Sequence, residues 1–374
     1  MKNVLIFAED PGAANYMRDF PQFLKEMGLN PIIYSVSFAN KILTNNIDNT
    51  FEEIENVYLR AELLLEKINP QLLIVGTSEN LDTFSFKLTS VAKEKNIPSL
   101  AMVDSVANVK SRFKGYSDSP LTHITDYLLV PDEETKNEFK KIGFDYSNIY
   151  IYKNPHFNTL LEKRKPWSKF RFIELSKKKF YPKLEKIRPV IVFVSEISTG
   201  LNEKQYQKSN NYTLFGSKKS VLRTEVVLDE LFLALNNSTL NPYMVLRLHP
   251  KQNRQNLSKY LSKFDYISKD EDGLLIVNSA DLVVGMTSVL LKEAAIIGKP
   301  VLSIVPKPDE ELWLGDMKNI IKCLSTRKQV NDFLQSKDNW KNIPVRKLSK
   351  LSNNKSLLKK NIKSILNFNL NYKL

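Results

Sequence analysis

The sequence contains few of the residues that build disulfide or metal frameworks. It has one cysteine, Cys323, in 374 residues, which excludes a disulfide framework and a thiolate metal cluster within one chain. Its three histidines are too few for a histidine-rich metal centre. A single cysteine also fits a reducing compartment. We therefore expect neither a metal ion nor another bound cofactor.

Long apolar runs are also missing. No stretch approaches the ~20 uninterrupted apolar residues of a membrane-spanning helix. The N-terminal sequence MKNVLIFAEDPG has one lysine, a short apolar run and then charged residues with a Pro-Gly turn. This pattern is typical of a first β-strand rather than of an export signal. These features predict a cytoplasmic protein.

Acidic residues are absent from 339–374, and the whole chain carries a net charge of +14. A basic, helix-forming tail can rest on anionic lipid headgroups, so we expect peripheral contact with the inner face of the membrane. The alternative is a lysine-rich composition that places lysines on solvated faces throughout. Nucleic acid is not an expected partner, because no aromatic-basic recognition motif accompanies the charge. The basic residues of the tail include Lys341, Arg346, Lys347, Lys350, Lys355, Lys359, Lys360 and Lys363.

Short, almost wholly apolar segments alternate with helical segments along the chain. This alternation is typical of parallel sheets covered by helices on both faces. It is interrupted between about Leu161 and Pro189, where lysines, arginines and prolines crowd together. The predicted strands are Asn3–Ala8, Pro31–Val36, Leu72–Val75, Ser99–Val103, Tyr127–Val130, Val190–Val194, Tyr243–Leu248, Leu274–Val277, Asp281–Gly285 and Val301–Val305.

The alternation predicts an α/β protein with two Rossmann-like domains, whose parallel sheets face a central cleft. We assign residues 1–160 to an N-terminal domain, 161–189 to a basic linker, 190–340 to a C-terminal domain and 341–374 to the basic helical tail. Ligands of open parallel sheets bind beyond the carboxyl ends of the strands, so polar residues at those ends are candidate site residues. The polar insert 198–220 is expected to be a mobile loop near the cleft.

The strongest local pattern follows the predicted strand Asp281–Gly285. Thr287 and Ser288 begin a helix there, and the free N–H groups and partial positive charge of a helix N-terminus favour a phosphate or carboxylate. Glu293, about one and a half turns further along, could hydrogen-bond a ribose diol. The alternative is a capped helix with a solvated Glu293.

Two further candidates follow strands of the same domain. His249, in the sequence His249-Pro250-Lys251, could hydrogen-bond a phosphate or protonate it as the leaving group departs, and Lys251 would add positive charge. Ser195 and Glu196 follow another strand and could contact the base, ribose or phosphate. The alternative for His249 is a packed or solvated turn residue.

In the first domain, polar residues follow the first strand. Gly12 would let the backbone approach a ligand, and Glu9 or Asp10 could act as general base on an acceptor hydroxyl. Asn15 lies one turn further on. The alternative is a Pro-Gly turn whose acidic residues favour the helix dipole. Further candidates at later strand ends are Thr77, Ser78, Glu79, Asp104 and Ser105.

Together these motifs resemble a known group of enzymes. His249-Pro250 followed by Thr287-Ser288 resembles the HP and Ser/Thr motifs of bacterial CMP-sialic-acid-dependent sialyltransferases, and related patterns occur in Kdo and CDP-glycerol transferases of capsule and cell-wall synthesis. The segment 153–157 (KNPHF) resembles the GNPRFD-type segment that closes the first domain of several GT-B proteins. The segment 281–303 also resembles the nucleotide-binding segment of UDP-N-acetylglucosamine 2-epimerase relatives.

The resemblance implies a GT-B glycosyltransferase that moves a sugar from a nucleotide donor to a surface-glycan acceptor, as in capsule or lipopolysaccharide synthesis. The donor would be a CMP-activated nonulosonic acid or Kdo, and the reaction metal-independent and inverting. The alternatives are an epimerase or hydrolase like UDP-GlcNAc 2-epimerase and a non-catalytic nucleotide-sugar-binding protein. The predicted catalytic residues are Asp10, Glu9 and His249. The predicted nucleotide-sugar-binding residues are Gly12, Asn15, Ser195, Glu196, His249, Lys251, Thr287, Ser288 and Glu293.

Overall fold

A computed structural model of the chain describes residues 1–36, 39, 52–53, 61–78, 80–185, 188–197, 206–250, 252–343 and 355–368. The chain divides into two compact units. Unit 1 comprises Met1–Asn158 together with Lys350–Leu374, and unit 2 comprises Thr159–Ser349. Each unit is an α/β domain with one parallel sheet, as the sequence predicts.

Unit 1 is built on a seven-stranded parallel sheet. In chain order its strands are β1 (Asn3–Ala8), β2 (Asn30–Ser35), β3 (Glu52–Glu53), β4 (Leu72–Gly76), β5 (Ser99–Met102), β6 (Tyr127–Val130) and β7 (Ile149–Ile151). Their order across the sheet is β3-β2-β1-β4-β5-β6-β7, and all the pairs are parallel. The chain therefore reverses its direction of progress across the sheet between β1 and β4, which is the switch point of a Rossmann-type sheet.

Helices pack on both faces of this sheet. The helices of the N-terminal part are α1 (Pro11–Met17), α2 (Phe20–Glu26), α3 (Ala61–Ile68), α4 (Phe84–Glu94) and α5 (Glu133–Lys141). Helix α1 must approach the sheet closely, because a Cβ on Gly76 of β4 would lie 2.6 Å from the Cβ of Ala13. A glycine at this strand end is therefore needed to bring α1 over the switch point.

The last helix of the chain, α13 (Lys355–Phe368), belongs to unit 1. Leu358, Ile362, Ile365 and Leu366 are spaced along one face and are buried in the same core as the side chains of β1. Part of the tail expected at 341–374 is therefore a packed helix of unit 1. Residues 344–354 and 369–374 of that tail lie outside the described residues.

Unit 2 is built on a six-stranded parallel sheet. Its strands are β8 (Val190–Val194), β9 (Tyr243–Arg247), β10 (Tyr266–Ser268), β11 (Leu282–Gly285), β12 (Val301–Ile304) and β13 (Lys322–Leu324). Their order across the sheet is β10-β9-β8-β11-β12-β13. The switch point of unit 2 therefore lies between β8 and β11, and both strands are fully buried.

The helices of this part of the chain surround the second sheet. They are α6 (Pro155–Trp167), α7 (Phe170–Phe180), α8 (Arg223–Asn236), α9 (Gly273–Asn278), α10 (Val289–Ile296), α11 (Arg327–Leu334) and α12 (Asp338–Lys341), and 3-10 segments cover Arg254–Lys263 and Pro308–Asn319. The boundary between the units falls within α6. The stretch 161–189, expected as a linker, is therefore largely helical, with α6 and α7 as its main elements.

The predicted strand Leu274–Val277 is wrong, because these residues belong to helix α9. The side chain of Asp272 accepts a hydrogen bond from the backbone N–H of Leu274 at 2.8 Å and so starts the helix. A four-residue apolar run is too short for its periodicity to separate a strand from a buried helix.

The insert 198–220 is described only from residue 206 onward. Its described part is fastened to α8, since Glu230 accepts hydrogen bonds from the backbone of Phe215 and Gly216, and Asp229 accepts one from Ser217. Among the described helices, none is long and apolar enough to cross a membrane.

Candidate functional site

At the switch point of unit 2, several hydrogen bonds hold the candidate residue Glu196. It follows β8, and its Oε1 accepts hydrogen bonds from the backbone N–H of Thr287 and from that of Ser288, the latter at 2.6 Å. The Thr287 hydroxyl donates to Oε2 at 3.2 Å. The N–H groups before α10 therefore hold an anionic oxygen, which is the property that the sequence predicts for this helix N-terminus.

A buried arginine holds Glu196 from the other side. Arg223, at the first position of α8, donates to Glu196 at 2.9 Å and to Glu310 at 2.6 Å. Burial alone would lower the pKa of the Arg223 guanidinium, but Glu310 and Glu196 outweigh it and raise the pKa above its ordinary value. Two carboxylates thus share one fully buried cation behind the switch point.

Ser195 joins the end of β8 to the loop after β9. Its hydroxyl donates to the Gln252 side chain at 2.7 Å, and its backbone N–H donates to the Arg247 carbonyl at 2.9 Å. Ser195 is buried, with 1% of its surface exposed. Its role here is to fix the turn that starts at His249, because Gln252 donates its backbone N–H to the His249 carbonyl at 2.8 Å.

His249 is half-buried and directly follows Leu248 at the end of β9. Since β9 pairs with β8, His249 and Glu196 leave neighbouring strands at the same edge of the sheet. Lys251, predicted to add positive charge there, lies outside the described residues.

Helix α10 combines both interpretations that the sequence allowed. Ser288 caps the helix, since its hydroxyl accepts from the Leu290 N–H at 3.2 Å, while its own N–H binds Glu196. Glu293 is buried, with 7% of its surface exposed, so the alternative of a solvated carboxylate is wrong.

The acidic residues Glu271 and Asp272 both accept hydrogen bonds within their own turn. Glu271 accepts from the Ser268 hydroxyl at 2.8 Å, and Asp272 caps α9.

The switch point of unit 1 is organised by a second buried arginine. Arg112 donates to Asp104 at 2.9 Å and to the Thr77 hydroxyl at 2.8 Å, which ties the end of β5 to the end of β4. The free space beside Asp104 is small, because a Cβ on Gly12 would lie 2.2 Å from its Oδ2. Gly12 is therefore required for the approach of α1 to Asp104.

The two predicted catalytic carboxylates of unit 1 both bind backbone N–H groups. Asp10 caps α1 by accepting from Gly12 at 3.0 Å. Glu9 accepts from Asn80 at 3.0 Å and from the N–H of Phe84, the first residue of α4, at 3.3 Å. Asn15, predicted to bind the ligand, accepts from its neighbour Arg18 at 2.8 Å.

Three charged residues of the switch points, Arg223, Glu310 and Arg112, were not predicted from the sequence. Arg223 had one detectable signal, since a cation at the first position of a helix opposes the helix dipole and therefore suggests a carboxylate partner. Glu310 and Arg112 carry no such local signal. Glu79, a further candidate at the end of β4, lies outside the described residues. Across the described ranges, no group of three or more His, Cys, Asp or Glu side chains could hold a metal ion.

Comparisons with known proteins are informative at the level of structure. No protein-family model matches the chain, and no curated protein matches it by sequence. The structure of UDP-GlcNAc 2-epimerase from Neisseria meningitidis bound to UDP-GlcNAc superposes with a TM-score of 0.65 at 13% identity, and covers 97% of this chain and 100% of that one.

Two other structures show the same likeness. Anabaena HepE in complex with UDP has a TM-score of 0.60 at 10% identity and covers 98% of this chain and 100% of its own. A variant of the wall teichoic acid polymerase TagF has a TM-score of 0.53 at 14% identity, and the match covers 99% of this chain and 90% of that one. At these identities the likeness establishes the fold, and this chain has the GT-B fold that its sequence predicts.

Proposed function

We propose that this chain is a glycosyltransferase that binds a nucleotide-activated sugar at the carboxyl ends of β8, β9 and β11. The observation that carries the proposal is the binding of the Glu196 carboxylate by the N–H groups of Thr287 and Ser288. N–H groups that donate to a carboxylate oxygen at a helix N-terminus can also donate to a phosphate oxygen. The GT-B fold of structures that hold UDP-GlcNAc or UDP supports a nucleotide sugar as the ligand.

The donor phosphate would exchange with Glu196 at the N-terminus of α10. Glu196 would keep Arg223 as its partner, so the carboxylate would not be left unpaired during the exchange. His249, leaving the neighbouring strand, would contact the phosphate and stabilise or protonate it as the glycosidic bond breaks. Fixed N–H dipoles and the imidazole would supply the stabilisation that a metal ion supplies elsewhere, so we propose a metal-independent reaction.

Unit 1 would supply the acceptor side of the reaction. A carboxylate at its switch point, Asp10 or Glu9, would take the proton of the acceptor hydroxyl as the sugar transfers, which is the arrangement of an inverting enzyme. We propose a CMP-activated nonulosonic acid or Kdo as the donor and a surface glycan as the acceptor, following the HP and Ser/Thr motifs at His249 and Thr287-Ser288.

A second candidate function is epimerisation or hydrolysis of a UDP sugar. It is favoured by the likeness to UDP-GlcNAc 2-epimerase, which extends over 97% of this chain. The two functions differ in one readily measured property. A transferase consumes its donor only when an acceptor is present, whereas an epimerase or hydrolase converts UDP-GlcNAc alone.

The first experiment is a thermal-shift screen of the full chain against CMP, CDP, UMP, UDP, GDP and TDP at matched concentrations. A ligand that binds only the folded state raises the midpoint in proportion to the logarithm of its concentration over its Kd. We expect stabilisation by one nucleotide, with loss of the shift in His249→Ala and a larger shift in Glu196→Gln, which lacks the competing anion. A flat response to every nucleotide would contradict the proposal.

A matched pair of helix caps provides the control. Ser288 caps α10, and Thr326 caps α11 in the same unit by accepting from Gln329 at 3.3 Å. Ser288→Ala and Thr326→Ala each remove one cap and should each cost about 1 kcal/mol of stability. Only Ser288→Ala should also reduce the nucleotide-dependent shift, and equal reduction in both variants would place the ligand elsewhere.

The second experiment separates the two functions by turnover. The chain is incubated with CMP-sialic acid, CMP-Kdo and UDP-GlcNAc, each with and without a mixture of surface-glycan oligosaccharides, and released nucleotide and sugar products are measured. Nucleotide release that requires the oligosaccharides supports transfer. A C2 epimer or free UDP formed from UDP-GlcNAc alone supports the second candidate. Nucleotide binding with no turnover of any donor indicates a binding protein.

A further inference from the structure

Helix α7 of unit 2 exposes two large apolar side chains. Phe170 is 77% exposed and Leu175 is 57% exposed. On a helix with 3.6 residues per turn, these residues share one half of the helix surface with the exposed Arg171, Lys178 and Lys179 and with one half-exposed carboxylate, Glu174. This half, which we call the α7 face, therefore combines apolar and cationic groups.

The opposite half of α7 is fastened to unit 2. Lys177 forms an ion pair with Asp281 at 3.3 Å, directly before β11. Tyr181, just after the helix, shares a hydrogen bond of 2.9 Å with Ser279, and Phe180 is buried. Because these contacts fix the rotation of the helix about its axis, the exposure of the α7 face follows from how the helix is anchored.

Most of the charged residues of helix α7 are positive. Its eleven residues include Arg171, Lys177, Lys178 and Lys179 but only one acidic residue, Glu174, which pairs with Lys177 at 3.9 Å. Within the part of the chain that the structure describes, Arg171 and Lys178 form no ion pair with a carboxylate. Arg171 and Lys178 are thus available to an anionic partner, and the Lys179 ammonium lies 5.4 Å from the centre of the Phe180 ring.

Helix α13, in the basic tail, differs from α7 in the use of its apolar side chains. Its apolar stripe of Leu358, Ile362, Ile365 and Leu366 fills the core of unit 1, and its lysines lie on the solvated side. Of the two basic segments, α7 is therefore the one that presents a pair of bulky apolar residues between cations.

We propose that the α7 face binds the surface of a membrane that contains anionic lipid. Exposed Phe and Leu side chains between lysines and arginines match the boundary between headgroups and acyl chains, where the apolar groups insert and the cations meet lipid phosphates. Nucleic acid would account for the cations but leaves the apolar pair without a partner. The proposal concerns a surface separate from the switch points, so it can fail or hold independently of the proposed function.

The test is co-sedimentation of the full chain with phosphatidylcholine vesicles, with and without phosphatidylglycerol, at low and high salt. We expect binding that needs phosphatidylglycerol and weakens at high salt, because salt screens the attraction between the cations and the lipid phosphates. Lys178→Glu with Lys179→Glu should reduce binding at least about tenfold, because two attractive charges become repulsive. Phe170→Ser with Leu175→Ser should reduce it severalfold and leave the salt dependence unchanged. No binding to phosphatidylglycerol vesicles at low salt would overturn the proposal.

Matched variants on other surfaces provide the controls. Lys360→Glu with Lys363→Glu makes the same charge change on the solvated side of α13, and Tyr116→Ser with Leu357→Ser removes two exposed large side chains from unit 1. Both should bind vesicles nearly as well as the parent chain, and an equal loss in either would overturn the proposal. Dimerisation is the competing explanation for the exposed apolar pair. If light scattering detects a dimer of the parent chain, and Phe170→Ser with Leu175→Ser makes it monomeric, the proposal is overturned, since the face would then be an interface between copies. Thermal melts identify variants that do not fold. If Lys178→Glu with Lys179→Glu does not fold, the charge-neutralising variant Lys178→Gln with Lys179→Gln takes its place.

Discussion

The switch points of the two units each hold a carboxylate at the end of a strand, but they do so in different ways. In each, a buried arginine from outside the sheet holds a carboxylate that follows a central strand: Arg112 holds Asp104 in unit 1, and Arg223 holds Glu196 in unit 2. In unit 1, the side chain of Asp10 caps helix α1, and the carboxylate of Asp104 lies beside Gly12 of that helix. In unit 2 the carboxylate itself lies against the helix N-terminus.

The difference shows how the same sheet order can provide two kinds of site. In unit 1, Asp10 accepts from the N–H of Gly12 in α1, and Glu9 accepts from one N–H at the start of α4, that of Phe84, at 3.3 Å. In unit 2, Glu196 accepts from two consecutive N–H groups before α10, that of Ser288 at 2.6 Å, and also binds Arg223. We expect unit 1 to act on protons and unit 2 to bind negative charge.

The largest expected effect is that of Arg223→Met. Arg223 and Glu310 are 2% and 4% exposed, so removing the cation leaves a buried carboxylate unpaired. The cost should be about 3–5 kcal/mol of unfolding free energy, measured by urea denaturation. Arg112→Met in unit 1 should cost less, because Asp104 is 12% exposed and forms the only carboxylate partner of Arg112 among the described residues. A smaller loss for Arg223→Met than for Arg112→Met would contradict the comparison.

Glu196→Gln should have the next largest effect. The amide keeps an oxygen for the N–H groups of Thr287 and Ser288 but gives up the charge that Arg223 and the helix N-terminus both stabilise. Charge-assisted hydrogen bonds of this kind contribute about 1.5–3 kcal/mol, and we expect a loss in that range. A change of only a few tenths would show that Glu196 is not held by its charge.

Gly12→Ala tests the close approach in unit 1. Its Cβ would lie 2.2 Å from Asp104 Oδ2, so the carboxylate must move away from Arg112, at a cost of about 1–3 kcal/mol. In an Arg112→Met background the cost should fall, since the carboxylate is then free to move, and a double-mutant cycle measures this coupling. Additive losses in the cycle would contradict the mechanism. Gly285→Ala at the unit 2 switch point, with a nearest contact of 3.1 Å, should cost less.

The smallest effect is expected for Asp10→Asn. Asparagine caps a helix about as well as aspartate, so the N–H of Gly12 keeps its partner and stability should change by at most about 0.5 kcal/mol. Any loss of turnover in this variant then reports the chemistry of the carboxylate rather than the stability of unit 1. A stability loss as large as that of Glu196→Gln would contradict the contrast between the two switch points.

The buried strands were predictable because burial on both faces leaves a nearly continuous apolar run. The predicted Asn3–Ala8, Tyr127–Val130 and Val190–Val194 coincide with β1, β6 and β8. The strands that were missed are β3, with two residues, and β7, β10 and β13, with three residues each; the last three include partly exposed positions. Such short strands depend on pairing with a neighbour and leave no periodic signal.

The site was predictable only in part. The positions of Ser195, Glu196 and His249 at strand ends follow from local pattern, since strands precede each of them. Their partners do not: Ser195 pairs with Gln252, and Glu196 pairs with Arg223 and with Ser288 across long sequence separations. Such pairings are decided by the tertiary fold, which no local pattern in the sequence reports.

Helix α13 has a consequence for how the chain is made. Its apolar face completes the core of unit 1, yet its residues are synthesised after all of unit 2. Unit 2 is continuous in sequence and can fold during translation, whereas the core of unit 1 must wait for the last helix to leave the ribosome. Until then the surface that receives α13 stays uncovered on the nascent chain, so the order of synthesis gives unit 1 the longer exposure to chaperones.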